Sequence, residues 1–268
     1  MCHAQVIITT FQKPLRTDEK HVREMILKAR NFNKRYKKGA RQIKMTLAGQ
    51  FNINYNLKRI RRIMNKYKII CPIRRANPYR KITKETQEHT VVPNLVNREF
   101  KQGIPGKVLF TDITYLYYGK GQKAYLSTII DGSSSEVLAY YLSTNLRMEL
   151  ATETLNQLKK NKRVILIKNA IIHSDQGAHY TSPIFQEKVK KMGLIQSMSR
   201  RGNCWDNALQ ESFFGHFKDE ANIKECMNLE ELKKEIRSYM KHYNNTRYQW
   251  NLNKMTPVGY RSHLLIAA

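Results

Sequence analysis

Three carboxylates stand where ordinary structure would not place them. Asp112 lies inside Val108-Leu-Phe-Thr-Asp-Ile-Thr-Tyr-Leu-Tyr-Tyr118, an apolar, β-branched and aromatic run that reads as a strand. Asp is disfavoured in strands, and an unpaired buried charge is expensive. Asp175 closes the run Ala170-Ile-Ile-His-Ser-Asp175 at a Gln176-Gly177 turn, the kind of strand end where catalytic groups gather in α/β sheets. Glu211 comes one turn after Asp206-Asn207, the expected cap of a helix, and so projects from a helix start. Asp112 and Asp175 have 62 residues between them, and Asp175 and Glu211 have 35. Singly, these are an edge-strand Asp, a turn Asp and an ordinary helical Glu. Brought together they would repel one another, and such a set in a basic protein calls for a cation. Oxygen-only ligands with open positions suit Mg²⁺, with Mn²⁺ as a substitute, rather than zinc. Two such ions about 4 Å apart activate an attacking oxygen and stabilise the leaving oxygen of an in-line phosphoryl displacement. The chemistry expected is cleavage or transfer of a phosphodiester.

The elements that must position these groups follow from periodicity. After the strand holding Asp112 come Ala124 to Asp131 and Val137 to Ser143, two more strands joined by short turns. A helix is expected from Arg147 to about Asn161, with Leu150, Thr154, Leu155 and Leu158 on one side. The run ending in Asp175, a helix from Pro183 to Met192, a strand from Leu194 to Met198, and helices near Asp206 and Leu229 complete the pattern. Hairpin-linked strands followed by strands alternating with helices predict an α/β fold with a mixed sheet and helices packed against it. His173 is two residues before Asp175 and shares its face of the strand. A metal or phosphate contact and a packed core histidine are both open to it.

The chain carries 48 Lys and Arg against 21 Asp and Glu over 268 residues, which bounds it to one or two domains. Residues 1–105 hold 25 basic and 6 acidic side chains, and no acid at all falls between Met25 and Lys84, a stretch with 19 Lys and Arg. A solvated helical face mixes signs, because like charges one turn apart repel. Sixty residues without a carboxylate are better explained by a polyanion, and nucleic acid fits better than a membrane surface. Within the stretch, Ile43 and Leu47 mark a first helix that also holds Arg41. Asn54 or Asn56 caps a second, whose stripe is Leu57, Ile60, Ile63, Met64 and Tyr67. Lys58, Arg59, Arg61, Arg62 and Lys66 point away from that stripe. Two short helices with a basic second member describe a helix-turn-helix over about residues 39–67, and Arg41, Lys58, Arg59, Arg61 and Arg62 are its candidate DNA contacts. The expected organisation is a basic helical region (1–70), a Pro-containing linker (71–105), a catalytic core (106–220) and a C-terminal helix and tail (221–268). Four scattered cysteines argue against a disulfide framework or a zinc site. No apolar run approaches a membrane span and the N-terminus lacks a signal-peptide pattern, so a soluble cytoplasmic protein is expected.

At these residues the chain resembles the second-frame (orfB-type) transposases of the bacterial insertion-sequence IS-three family, and through them the retroviral integrase superfamily. The resemblance is carried by Thr111-Asp112-Ile-Thr-Tyr, His173-Ser-Asp175-Gln-Gly-Ala-His-Tyr-Thr-Ser182 and Ser199 to Lys218, which includes Asp206-Asn-Ala-Leu-Gln-Glu211-Ser-Phe-Phe. Tyr243-Asn-Asn-Thr-Arg247, Thr256-Pro-Val-Gly-Tyr-Arg261 and the segment from Gly39 to about Arg75 add to it. It implies an RNase H-like integrase core, a mixed five-stranded sheet with flanking helices, preceded by a small all-α helix-turn-helix domain. It implies that Asp112, Asp175 and Glu211 are a D-D-E triad binding two Mg²⁺. Water would cut the DNA at an element end, and the freed 3′-OH would attack another phosphodiester without ATP or a covalent enzyme intermediate. Lys218, two turns after Glu211 on the same helix, would contact the element's terminal DNA. The resemblance further implies double-stranded DNA partners (terminal inverted repeats and target), a frameshift fusion with an upstream-frame protein, homo-oligomers on DNA, and action at the bacterial nucleoid. The arginine usual near the third strand is absent, with Ser134-Ser135 in its place, and so is the tryptophan usual in the first strand; neither change removes a carboxylate. A catalytically silent relative that only binds element ends, and a nuclease that cuts without joining, are the competing readings. The zinc-binding His/His/Cys/Cys domain of a retroviral-type integrase has no counterpart here.

Overall fold

Apolar residues spaced three and four apart build the basic region as three helices, α1 (Thr17–Asn31), α2 (Ala40–Phe51) and α3 (Leu57–Lys66). The computed structural model describes residues 17–33, 38–71, 91–99, 102–200 and 204–267, which divide into one compact unit up to residue 71 and another from residue 91 onward. In the first unit Val22, Ile26, Ile43, Leu47, Ile60 and Ile63 are fully buried against one another. The connection between α2 and α3 is tight. Asn52 takes the left-handed conformation (φ 52°) that ends α2, a conformation asparagine tolerates better than most residues. Asn56 then caps α3 by accepting the Lys58 N–H at 2.8 Å. Lys44 braces the turn through the Tyr55 carbonyl (2.9 Å) and Asn54 Oδ1 (3.3 Å).

The second unit is a mixed sheet of β1 (Val108–Tyr118), β2 (Gln122–Asp131), β3 (Val137–Ser143), β4 (Ile171–Ser174) and β5 (Ile195–Met198), in the order β3-β2-β1-β4-β5. The first three strands pair antiparallel, while β4 joins β1 and β5 joins β4 in parallel. Parallel neighbours need crossovers, and these are supplied by α4 (Glu149–Lys160) before β4 and by α5 (Ala178–Thr181) with α6 (Pro183–Lys191) before β5. Ala151, Leu155, Leu158, Phe185 and Val189 bury one face of the sheet. The other face is covered by α7 (Ala208–Glu220) and α8 (Leu229–Asn245), through Phe213, Phe217, Leu232, Ile236 and Tyr239. A last helix, α9 (Pro257–Ile266), is capped by Thr256. This is the RNase H-like arrangement expected from the sequence.

Residues 91–99, placed by composition in a linker, pack onto the sheet. Val96 is buried with Val108 and Phe110, the Leu95 N–H donates to Ser197 Oγ, and the Met198 N–H to the Pro93 carbonyl. Of that stretch, 72–90 and 100–101 lie outside the described residues, as does the start of the chain. Neither Cys71 nor Cys226 is in a disulfide among the described residues, and no described helix is long and apolar enough to cross a membrane.

Candidate active site

The parallel register decides where two of the carboxylates stand. Val108 pairs with Ile171 and Phe110 with His173, so Asp112, two residues on, is level with Asp175 just past the end of β4. Adjacent strands lie about 4.8 Å apart. Side chains alternate, so Asp112 and Asp175 share the face of Phe110 and His173, whose rings touch at 5.5 Å. That face is the one α7 covers, and Glu211 is in the first turn of α7.

The electrostatics follow from this crowding. Asp112, half-buried on a central strand, has its carboxyl pushed up to about 8. Loss of water is the largest cause, the negative charges of Asp175 and Glu211 add to it, and the N–H of Ile113 (2.7 Å) and the charge of Lys218 oppose it. Asp175 sits on a turn, and loss of water around its carboxyl also holds it above the usual range, against the Gly177 N–H and the charge of His179. That N–H reaches Asp175 Oδ1 at 2.9 Å, and a Cβ on Gly177 would stand 2.9 Å from the same oxygen, so a larger residue there would push the Asp175 carboxylate from its place. Glu211 is exposed.

Each aspartate therefore satisfies one oxygen with a backbone N–H and leaves the other open, and an open, mutually repelling set of oxygens is the donor chemistry of a hard divalent cation. The set is not closed: among the described residues no three His, Cys, Asp or Glu side chains stand at the spacing of ligands to one ion. The donor types fit Mg²⁺ or Mn²⁺, and the carboxylates have to draw together to hold one.

Residues 103–204 and 211–265 each match the integrase core domain family, and residues 17–77 match the HTH-like domain family. Over 210 residues the chain is 35% identical to InsK of Escherichia coli K12, named as a transposase of insertion sequence element IS150; the match spans 77% of this chain and 71% of InsK. A transposase-like protein of Haemophilus influenzae is 35% identical over 226 residues, spanning 82% of this chain and 100% of the relative. The chain belongs to the IS-three type of insertion-sequence transposases. Among solved structures, the simian T-cell lymphotropic virus intasome in complex with PP2A regulatory subunit B56 gamma superposes with a TM-score of 0.49 at 16% identity, over 88% of this chain and 74% of that one.

In this transposase-family core, other residues marked out by sequence fall as follows. Lys218 is exposed on α7, and its charge is felt by Asp112. His173 is fully buried, with Nδ1 2.9 Å from Ser197 Oγ, and burial lowers it to about 4; it is a neutral, packed core histidine. The expected cap of α7, Asp206-Asn207, divides between two roles. Asn207 holds the cap position without a side-chain bond, while Asp206 accepts from Arg200 at Nε, Nη2 and the backbone (each 3.0 Å), from Arg98 Nε (2.9 Å) and from Asn94 (3.0 Å). These donors hold its carboxyl well below the usual range, the Arg200 side chain first. A buried carboxylate surrounded by fixed donors is stabler as a hub than as a cap.

Two residues escaped sequence reasoning. Gln210, fully buried next to Glu211, donates to the Phe110 carbonyl (2.6 Å) and accepts from Thr128 Oγ1 (2.9 Å), tying the start of α7 to β1 and β2. The available signal was a polar residue on the inward stripe of Phe213, Phe214 and Phe217. Tyr180 is buried close enough to Asp112 and Asp175 that their charges, added to burial, keep its hydroxyl protonated. Its sequence position gives no hint of that neighbourhood.

Proposed function

We propose that this protein is an active transposase, which cuts DNA at the ends of its own insertion element and joins the freed ends to new sites. Asp112, Asp175 and Glu211 are its catalytic residues and hold Mg²⁺, for which Mn²⁺ can substitute. The observation that carries this reading is the β1–β4 register, which sets Asp112 level with Asp175 beneath the helix bearing Glu211. Bound there, the metal would supply Lewis acidity for an attacking and a leaving oxygen. The carboxylates position the scissile phosphate's surroundings, and Asp112 has to release its proton to serve as a ligand at neutral pH. Lys218 lies on the same helix as Glu211 and offers a cation to a DNA phosphate. In the first reaction water attacks phosphorus and the 3′ oxygen of the element end leaves as a hydroxyl. In the second that hydroxyl attacks a phosphodiester elsewhere, one P–O bond forming as another breaks, so no ATP is consumed.

The partners proposed are double-stranded DNA, both element ends and target, with further copies of the chain assembled on it and an upstream-frame protein joined by frameshifting. The site of action is the bacterial cytoplasm, at the nucleoid. The test compares the gene in its native upstream DNA with its Glu211→Gln variant, amplifying across joined element ends in cells. A junction product in the wild type and none in the variant is the expected result. No product from either supports the silent, end-binding relative or a missing upstream-frame partner, and product from both assigns the activity to another copy in the cell.

A further inference from the structure

The basic charge of the first unit is not uniformly available to a partner. Lys38 serves the end of α1, donating to the carbonyls of Phe32 and Asn33. Arg23 lies over the Tyr67 ring at 4.8 Å and Lys28 over Phe51 at 5.4 Å. Arg59 stacks on Tyr55 at 5.3 Å. Arg62 donates to Glu19 Oε1 at 2.7 Å and Lys66 to Glu19 Oε2 at 2.5 Å, so one carboxylate on α1 clamps two cations of α3. Among the described residues, Lys58, Arg61 and Lys68 have no acidic partner and no ring contact, and all three are exposed. Lys58, Arg61 and Asn65 recur at the spacing of one helical face, and Lys68 follows in the left-handed residue after the helix (φ 51°). Arg61, Asn65 and Lys68 line one shallow concavity. Asn65 is the polar, uncharged member of this face, and an amide can accept and donate together at the edge of an adenine in the major groove.

We propose that Lys58, Arg61, Asn65 and Lys68 form the face of α3 that meets duplex DNA, with Asn65 reading a base edge and the three cations seated on phosphates, while Arg62 and Lys66 hold α3 to α1. The assignment rests on the DNA-acting reading above and divides the basic residues of one helix into readers and struts.

The test uses the full chain and a labelled random-sequence duplex, with binding followed from about 50 to 200 mM salt. Lys58→Ala, Arg61→Ala and Lys68→Ala should each reduce the slope of log K against log salt by about 0.9, the value for one lost phosphate contact. Arg62→Gln and Lys66→Gln should leave the slope at the wild-type value and lower the melting temperature. Glu19→Gln should make the slope steeper by releasing both cations. For Asn65, sequences selected from the random pool by Asn65→Ala should lose their preference at one base pair. Equal slope losses from Arg62 and Lys58 variants, or an unchanged selected sequence for Asn65→Ala, would overturn the assignment while leaving the DNA-acting reading intact. A wild-type chain that ignores duplex DNA would remove both.

Discussion

Asp112 is a strand residue whose charge the fold disfavours. Its ordinary value is near 3.8 and its folded value near 8, so the folded state holds a proton that the unfolded state releases. Stability from this group is fully present below about pH 4 and is lost as pH rises through about 8. Asp112→Asn should therefore melt higher than the wild type at pH 8 in chelator, with the gap closing as pH falls toward 4, and should lose strand cleavage. Thermal melts across that range check the sign; a variant that melts lower at pH 8 would show that Asp112 is stabilised rather than strained. Divalent metal should narrow the gap by drawing the wild-type carboxylates together, since a bound cation reverses the local repulsion. All three carboxylates and the turn glycine Gly177 were legible in the sequence, because type and spacing alone marked them. The depth of Asp112's desolvation was not, as it depends on what packs over β1.

At the scale of elements, the position of Glu211 depends on how α7 is seated. Phe213, Phe214 and Phe217 supply the apolar contact, but such contacts are not directional and permit a helix to slide. Gln210 adds direction, bonding the backbone of β1 and the side chain of Thr128 on β2. Replacing it with Leu keeps the volume but leaves those groups unpaired, which should cost about 1–3 kcal/mol. It should also lower strand cleavage by more than the loss of folded protein explains. Denaturant melts alongside cleavage assays on the residual folded enzyme separate the two effects; activity that merely tracks the folded fraction would reduce Gln210 to a packing role. The strands and most helices were anticipated, down to the buried side of α4 and the cap of α3, but α1 and α9 were not placed. What failed was the role of Asp206. Its three partners, Arg200, Arg98 and Asn94, lie up to 112 positions away, and local pattern carries no trace of them.

Across the whole second unit, ion pairs of long reach fasten the C-terminal segment that the family resemblance singled out. Arg247 pairs with Glu220 at 2.7 Å, both buried, with Tyr239 donating to the same carboxylate, and Arg261 reaches Glu136 across 125 residues of sequence. Arg247 thus anchors the far end of the helix that carries Glu211. Arg247→Met should destabilise by about 3–5 kcal/mol, because Glu220 is left buried without a partner. A second change, Glu220→Leu, should return most of that loss. Urea unfolding of the single and double variants checks it, and no recovery in the double variant would mean that the pair's geometry, not its charge balance, holds the helix.

By itself the sequence determined the family and the α/β core with its helical basic partner, and it marked three carboxylates as candidates, since these follow from side-chain type, spacing and short-range period. Tertiary structure alone decided which groups meet: that a 63-residue offset in parallel register levels Asp112 with Asp175, that α7 closes over that face, and that one glutamate on α1 clamps Arg62 and Lys66. The reason is physical. Composition and period record how each segment hides its own apolar surface, whereas hydrogen bonds and ion pairs between distant segments exist only after those surfaces have been brought together.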